Sequence, residues 1–100
     1  MTNGDIEEII DLEEWAKANK VPTAAKVYRI RIDKEKKDVT VGHMKGREIL
    51  GLVGKTPETH LLSQKIRGKG VEPIGADQLV DFTQPGVERF QTLALDPTEG

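Results

Sequence analysis

In the segment VYRIRID, residues 27–33, Tyr28, Ile30 and Ile32 fall on one face of an extended chain while Val27, Arg29 and Arg31 fall on the other. A period of two with one apolar side and one basic side describes a half-buried strand, and it requires a core on its apolar side. The polar run DKEKK makes a tight connection to DVTV, where Val39 and Val41 point one way and Asp38 and Thr40 the other. The two strands read as a hairpin.

Helical spacing follows in GREILGLVGK through Ile49, Leu50 and Val53, with Gly46 a permissive start and Gly54 in the position of a terminating glycine. Gly51 costs about 1 kcal/mol relative to alanine inside a helix, so this helix depends on packing. HLLSQKIR reads as a third strand, GKG as a turn, EPIGADQLVDF as a poorly patterned connection, and TQPGVERFQTLAL as a Pro-Gly turn with a final strand. A helix laid across a small mixed sheet buries these faces economically, which makes the class α+β. One hundred residues with 36% hydrophobic content suffice for a single core.

Residues 1–20 are set apart by charge, with six acids (Asp5, Glu7, Glu8, Asp11, Glu13, Glu14) against Lys17 and Lys20. Asp5 followed by Glu8 has capping-box spacing, and acids suit the first turn of a helix. The spacing predicts an N-terminal amphipathic helix from Asp5 to Asn19, with Ile6, Ile9, Ile10, Leu12, Trp15 and Ala16 on a stripe that must dock on something. Pro22 then disfavours helical geometry at Val21, so residues 21–26 read as a linker between this helix and a body over residues 27–95 that folds without residues 1–22. Lys26, Arg29, Arg31, Lys34, Lys36 and Lys37 give the first hairpin a basic cast. Docking of the acidic helix on that hairpin, within one molecule or between neighbours, makes Ile6, Ile9, Ile10, Leu12, Trp15, Arg29 and Arg31 the candidate interface, with Trp15 its anchor. The basic residues also read as a solvated outer face, docking between neighbours would make a homo-oligomer through this helix, and a core role for Trp15 in its own chain fits equally.

The formal net charge of −2 gives no electrostatic reason to expect nucleic acid or an anionic membrane as partner. The acidic start lacks the basic region of a secretory signal, no apolar stretch approaches a membrane span, and the chain reads as cytoplasmic. Without cysteine there is no disulfide, zinc thiolate site or catalytic thiol. His43 and His60 lack metal-ligand spacing, and Ser63 lacks a nucleophile-elbow sequence. Neither an enzyme, a metal site nor a bound cofactor is expected, and Gly42, Gly46, Gly51 and Gly54 match no phosphate-binding motif.

The element order, together with YRIRID, GREILGLVGKTPETHLL and above all DFTQPGVERFQTL, resembles the bacterial ubiquitin-like proteins of the multi-ubiquitin family, over about Tyr28 to Leu95. The resemblance implies a ubiquitin-like β-grasp. It also implies a protein modifier that works with an activating enzyme, a conjugating enzyme and a deubiquitinase-like protease on target proteins, in bacterial antiviral defence. In such a modifier the acyl group of the last residue is adenylated and passed to a thiol, which makes Gly100 the conjugation residue and Asp96, Pro97, Thr98 and Glu99 the tail that presents it. Glycine has no Cβ to clash in a narrow channel, and five residues beyond Leu95 span at most about 17 Å. The chain departs from ubiquitin in ending on one glycine, with Glu99 before it. A non-conjugated assembly module forming homo-oligomers and a sulfur carrier using a glycine thiocarboxylate stand as alternatives.

Overall fold

The computed structural model describes residues 6–96. The hairpin is present as β2 (Ala25–Ile32) and β3 (Glu35–Val39), with Ile32 opposite Glu35 and Tyr28 opposite Val39. Its connection is shorter than the DKEKK run suggests. Only Asp33 and Lys34 separate the strands, and Asp33 takes a φ of 54°, a left-handed conformation that aspartate tolerates better than most residues. The second strand therefore begins at Glu35 and closes on buried Val39, leaving Val41 beyond it and exposed.

The final strand, β8 (Val87–Ala94), leaves a turn in which Gly86 has a φ of 84°. It meets β2 in parallel, with Phe90 opposite Ile32, and runs antiparallel to β5 (His60–Ile66), whose far edge holds β6 (Gly70–Ile74). The strand path β3-β2-β8-β5-β6 places the last strand beside the first hairpin in a mixed sheet. With a short helix, α2 (Gly46–Gly51), this arrangement is compatible with a ubiquitin-like β-grasp. The helix stops at Gly51, short of the expected Val53, and the chain turns on through Gly54, whose φ is 74°, with the Lys55 amide donating back to the Leu50 carbonyl at 3.0 Å. A second, two-stranded sheet pairs β4 (His43–Lys45) with β7 (Leu79–Asp81). Both strands are too short for periodicity to announce them. Beside them Phe82 is fully buried, its ring centroid 5.8 Å from that of Tyr28 and 6.3 Å from that of Phe90.

The N-terminal residues depart from the single helix expected over Asp5–Asn19. Glu7–Asp11 form β1, parallel to β2 with Ile10 opposite Tyr28, and only Leu12–Lys17 are helical, as α1. The β-branched pair Ile9 and Ile10 loses rotamer freedom in a helix and fits a pleated surface, and the ladder with β2 decides the outcome. The Asp11 carboxylate caps this shorter helix, accepting the first-turn amide of Glu14 at 3.2 Å, and Asp5, the expected cap, lies outside the described residues. Asn19, with a φ of 58°, follows the helix, and the Ala24 carbonyl already accepts the Glu7 amide at 3.2 Å before β2 begins. Ile10 and Leu12 lie in the same buried cluster as Tyr28, Ile30, Ile32, Ile49, Leu50 and Phe90.

Candidate functional site

The strand that leads to the tail is gripped close to its end. On one edge of β8, Leu93 lies opposite Leu61 and Ala94 opposite His60, and the Leu95 amide donates to the Thr59 carbonyl at 2.9 Å. Leu61 and Leu93 both face solvent, as does Asp96. Pro97, Thr98, Glu99 and Gly100 lie outside the described residues.

On the other edge β2 has turned away after Ile32, and Asp33 takes over. Its amide donates to the Phe90 carbonyl at 2.9 Å, its Oδ1 accepts the Thr92 amide at 2.9 Å, and its Oδ2 accepts the Thr92 hydroxyl at 2.5 Å. Lys55 Nζ donates to Thr92 Oγ1 at 2.9 Å and to Asp33 Oδ2 at 3.3 Å. Burial pushes the Asp33 carboxyl up, but the bonds from Thr92 and Lys55 outweigh it and hold the group below its ordinary value. Sequence reasoning missed this cluster. An aspartate at a hairpin tip marks a turn, yet nothing in the sequence joins position 33 to position 92.

The candidate interface residues divide. Ile6 and Ile9 are exposed, Ile10 and Leu12 are buried in their own chain, and Trp15 is half-buried, packed against the core with Lys20 Nζ 4.1 Å from its ring centroid. Arg29 holds Asp38 through two bonds, at 2.7 and 3.0 Å. Arg31 reaches Glu13 at 2.8 Å, and Lys36 reaches Asp11 at 2.6 Å and Glu13 at 3.5 Å. The acidic N-terminal residues and the basic hairpin therefore meet within one molecule.

His43 is exposed, and the His60 ring Nδ1 is 2.8 Å from the neighbouring Thr59 hydroxyl. Ser63 is half-buried on β5, opposite Gln91. Among the described residues no three His, Cys, Asp or Glu side chains gather as a metal site, and no helix is long and apolar enough to cross a membrane.

No curated protein and no solved structure matches the chain. The sequence profile of the family described as Multiubiquitin matches residues 28–94, from the first buried residue of β2 to the last residue of β8. Both faces of the tail root, Asp33 and Thr92 on one edge and Thr59 on the other, fall inside that span. On a match over most of its length, the chain belongs to the Multiubiquitin family.

Proposed function

We propose that this chain is a ubiquitin-like protein modifier, a substrate of conjugating enzymes and not itself a catalyst. The Gly100 carboxylate attacks the α-phosphorus of ATP to give an acyl adenylate and pyrophosphate. A cysteine thiolate of the activating enzyme then displaces AMP to form a thioester, which passes to a conjugating enzyme and finally to a target amine, releasing the thiol. A deubiquitinase-like protease would reverse the final bond, and bacterial antiviral defence in the cytoplasm is the setting.

Membership of the Multiubiquitin family over residues 28–94 carries this reading. The fold supports it, because β8 runs along the middle of the sheet and leads directly toward the tail. The self-assembly alternative loses support, since Ile10 and Leu12 are occupied within their own chain and only Ile6 and Ile9 of the expected stripe are exposed.

The test mixes the protein with ATP, magnesium and a cognate activating enzyme. A thioester that reducing agent cleaves is expected, and removing Gly100 abolishes it without changing the circular dichroism spectrum. A thioester that survives removal of Gly100, or none formed by the intact chain, would turn the reading down.

A further inference from the structure

Past Phe90, β8 continues through Gln91–Ala94 with no strand on its β2-facing edge among the described residues. Asp33 stands in for the missing strand. Its amide and carboxylate complete three hydrogen bonds to Phe90 and Thr92, and Lys55 braces both the carboxylate and the Thr92 hydroxyl. On the opposite edge the Leu95 amide is held by the Thr59 carbonyl at 2.9 Å. The last strand is thus fixed on both sides just before the tail begins.

We infer that Asp33 is a positioning residue for Gly100: by carrying the edge of β8 beyond the end of β2, it sets the direction in which the tail is delivered to the activating enzyme. This rests on the modifier reading given above. An enzyme that must receive an extended segment in a channel binds it more weakly when the segment's root has to be ordered first, because ordering each residue costs conformational entropy. A root held by charge-assisted bonds on one edge and a backbone bond on the other is already ordered. Asp33 is poorly replaced by most residues for a second reason, its φ of 54°. Asparagine and glycine tolerate that conformation, so Asp33→Asn and Asp33→Gly leave the turn intact while changing the bonds. Asparagine can still accept the Thr92 amide but presents an NH2 where the hydroxyl and Lys55 need an acceptor. Glycine removes the side-chain bonds altogether.

The experiment uses the full chain under conditions in which urea melts show every variant folded. Amide exchange at Thr92, Leu93, Ala94 and Leu95 is read by NMR, and thioester formation is followed with a cognate activating enzyme, ATP and magnesium. In Asp33→Gly the Thr92 amide loses protection, and KM for the protein rises about tenfold while kcat stays within about twofold. Asp33→Asn falls between. A purely structural role would lower the urea midpoint and leave KM of the folded protein unchanged. Wild-type KM in Asp33→Gly, with Thr92 protection lost, overturns the inference and leaves the modifier reading standing. No thioester from the wild-type chain overturns the modifier reading, and the role of Asp33 falls with it.

Discussion

The Glu13 carboxylate lies 2.8 Å from the Arg31 guanidinium and 3.5 Å from the Lys36 ammonium, with only 5% of Glu13 open to solvent. This contact fastens α1 to the outward-facing side chains of the first hairpin. Breaking a buried ion pair by removing one partner costs about 3–5 kcal/mol, and an exposed pair contributes about 0–1 kcal/mol. The Arg31 side chain is 35% exposed, which places this pair between those limits. Glu13→Ala is expected to destabilise the protein by about 1–3 kcal/mol in urea melts. A double-mutant cycle with Arg31→Ala should return a coupling well above the scatter of additive sites. A coupling of zero would mean that α1 is held without this pair, by the packing of Leu12 and Ala16 and by the Arg67 guanidinium, which donates to the Ala16 and Lys17 carbonyls at 2.7 and 2.8 Å.

Removing residues 1–22 tests whether β1 and α1 are an appendage or part of the core. Ile10 is fully buried and Leu12 is 2% exposed. Truncating such residues to alanine costs about 2–5 kcal/mol each, against a total of about 5–15 kcal/mol for a typical domain. The fragment 23–100 also loses the β1 ladder and the bond from Tyr28 Oη to the Thr23 carbonyl becomes a bond to a chain end. It is expected to lose more than about 4 kcal/mol or to melt without cooperativity. Circular dichroism during urea titration decides this, and a fragment as stable as the full chain would restore the separable N-terminal unit that the sequence suggests.

That contrast shows where the sequence was legible. Strong periodicity carried β2 correctly, because alternation over several residues has one structural solution when one face is covered, and the segments read as a third and a final strand are β5 and β8, although burial along β8 does not alternate. The family resemblance rested on the same segments. Ile6, Ile9 and Ile10 were ambiguous because a short apolar cluster suits one face of a helix or a half-buried strand, and the ladder with Ala25–Arg29 that settles it is remote in sequence. β4 and β7 are three-residue strands, below the length at which a period can be read. The Asp33, Lys55 and Thr92 cluster was illegible for a deeper reason: each residue looks like an ordinary surface position until the fold brings the three together.

Two glycines in one helix should respond to alanine with opposite signs. A Cβ on Gly46 would lie 2.3 Å from the Gly75 carbonyl oxygen and 3.1 Å from the Ile74 Cγ2. The backbone cannot yield there easily, since the Gly46 amide donates to the Gln78 carbonyl at 3.0 Å and the Arg47 amide to the Ala76 carbonyl at 2.8 Å. Gly46→Ala is expected to cost about 1–3 kcal/mol, the usual range for overpacking. A Cβ on Gly51 meets nothing within 4 Å, and its φ is not in the left-handed region. Gly51→Ala should therefore stabilise by about 0.4–1 kcal/mol through the unfolded chain. Thermal melts of the two variants side by side check the sign of each, and a shared sign would show that α2 sits differently against the Gly75 loop.

Acid should weaken the fold through a small set of aspartates. Asp33 is pushed up by burial and pulled further down by its bonds from Thr92 and Lys55, while the Arg29 guanidinium holds Asp38 low and the Thr83 hydroxyl and amide hold Asp81 low. A carboxylate with a folded pKa below its unfolded value, about 3.9, binds more protons in the unfolded state throughout the interval between the two. Stability from such groups is therefore fully present above the unfolded value and is lost as pH falls through the folded one. Urea melts from about pH 7 down to about pH 2 should show a flat upper limb for these groups and a decline beginning near pH 4. Asp33→Asn should be less stable than wild type at neutral pH, and the gap should narrow as acid protonates the wild-type carboxyl. Asp38→Asn provides the surface comparison, with an effect that added salt diminishes because its pair with Arg29 is solvent-exposed. Parallel curves for wild type and Asp33→Asn through the whole acid interval would mean that the Asp33 carboxylate contributes no proton-linked stability.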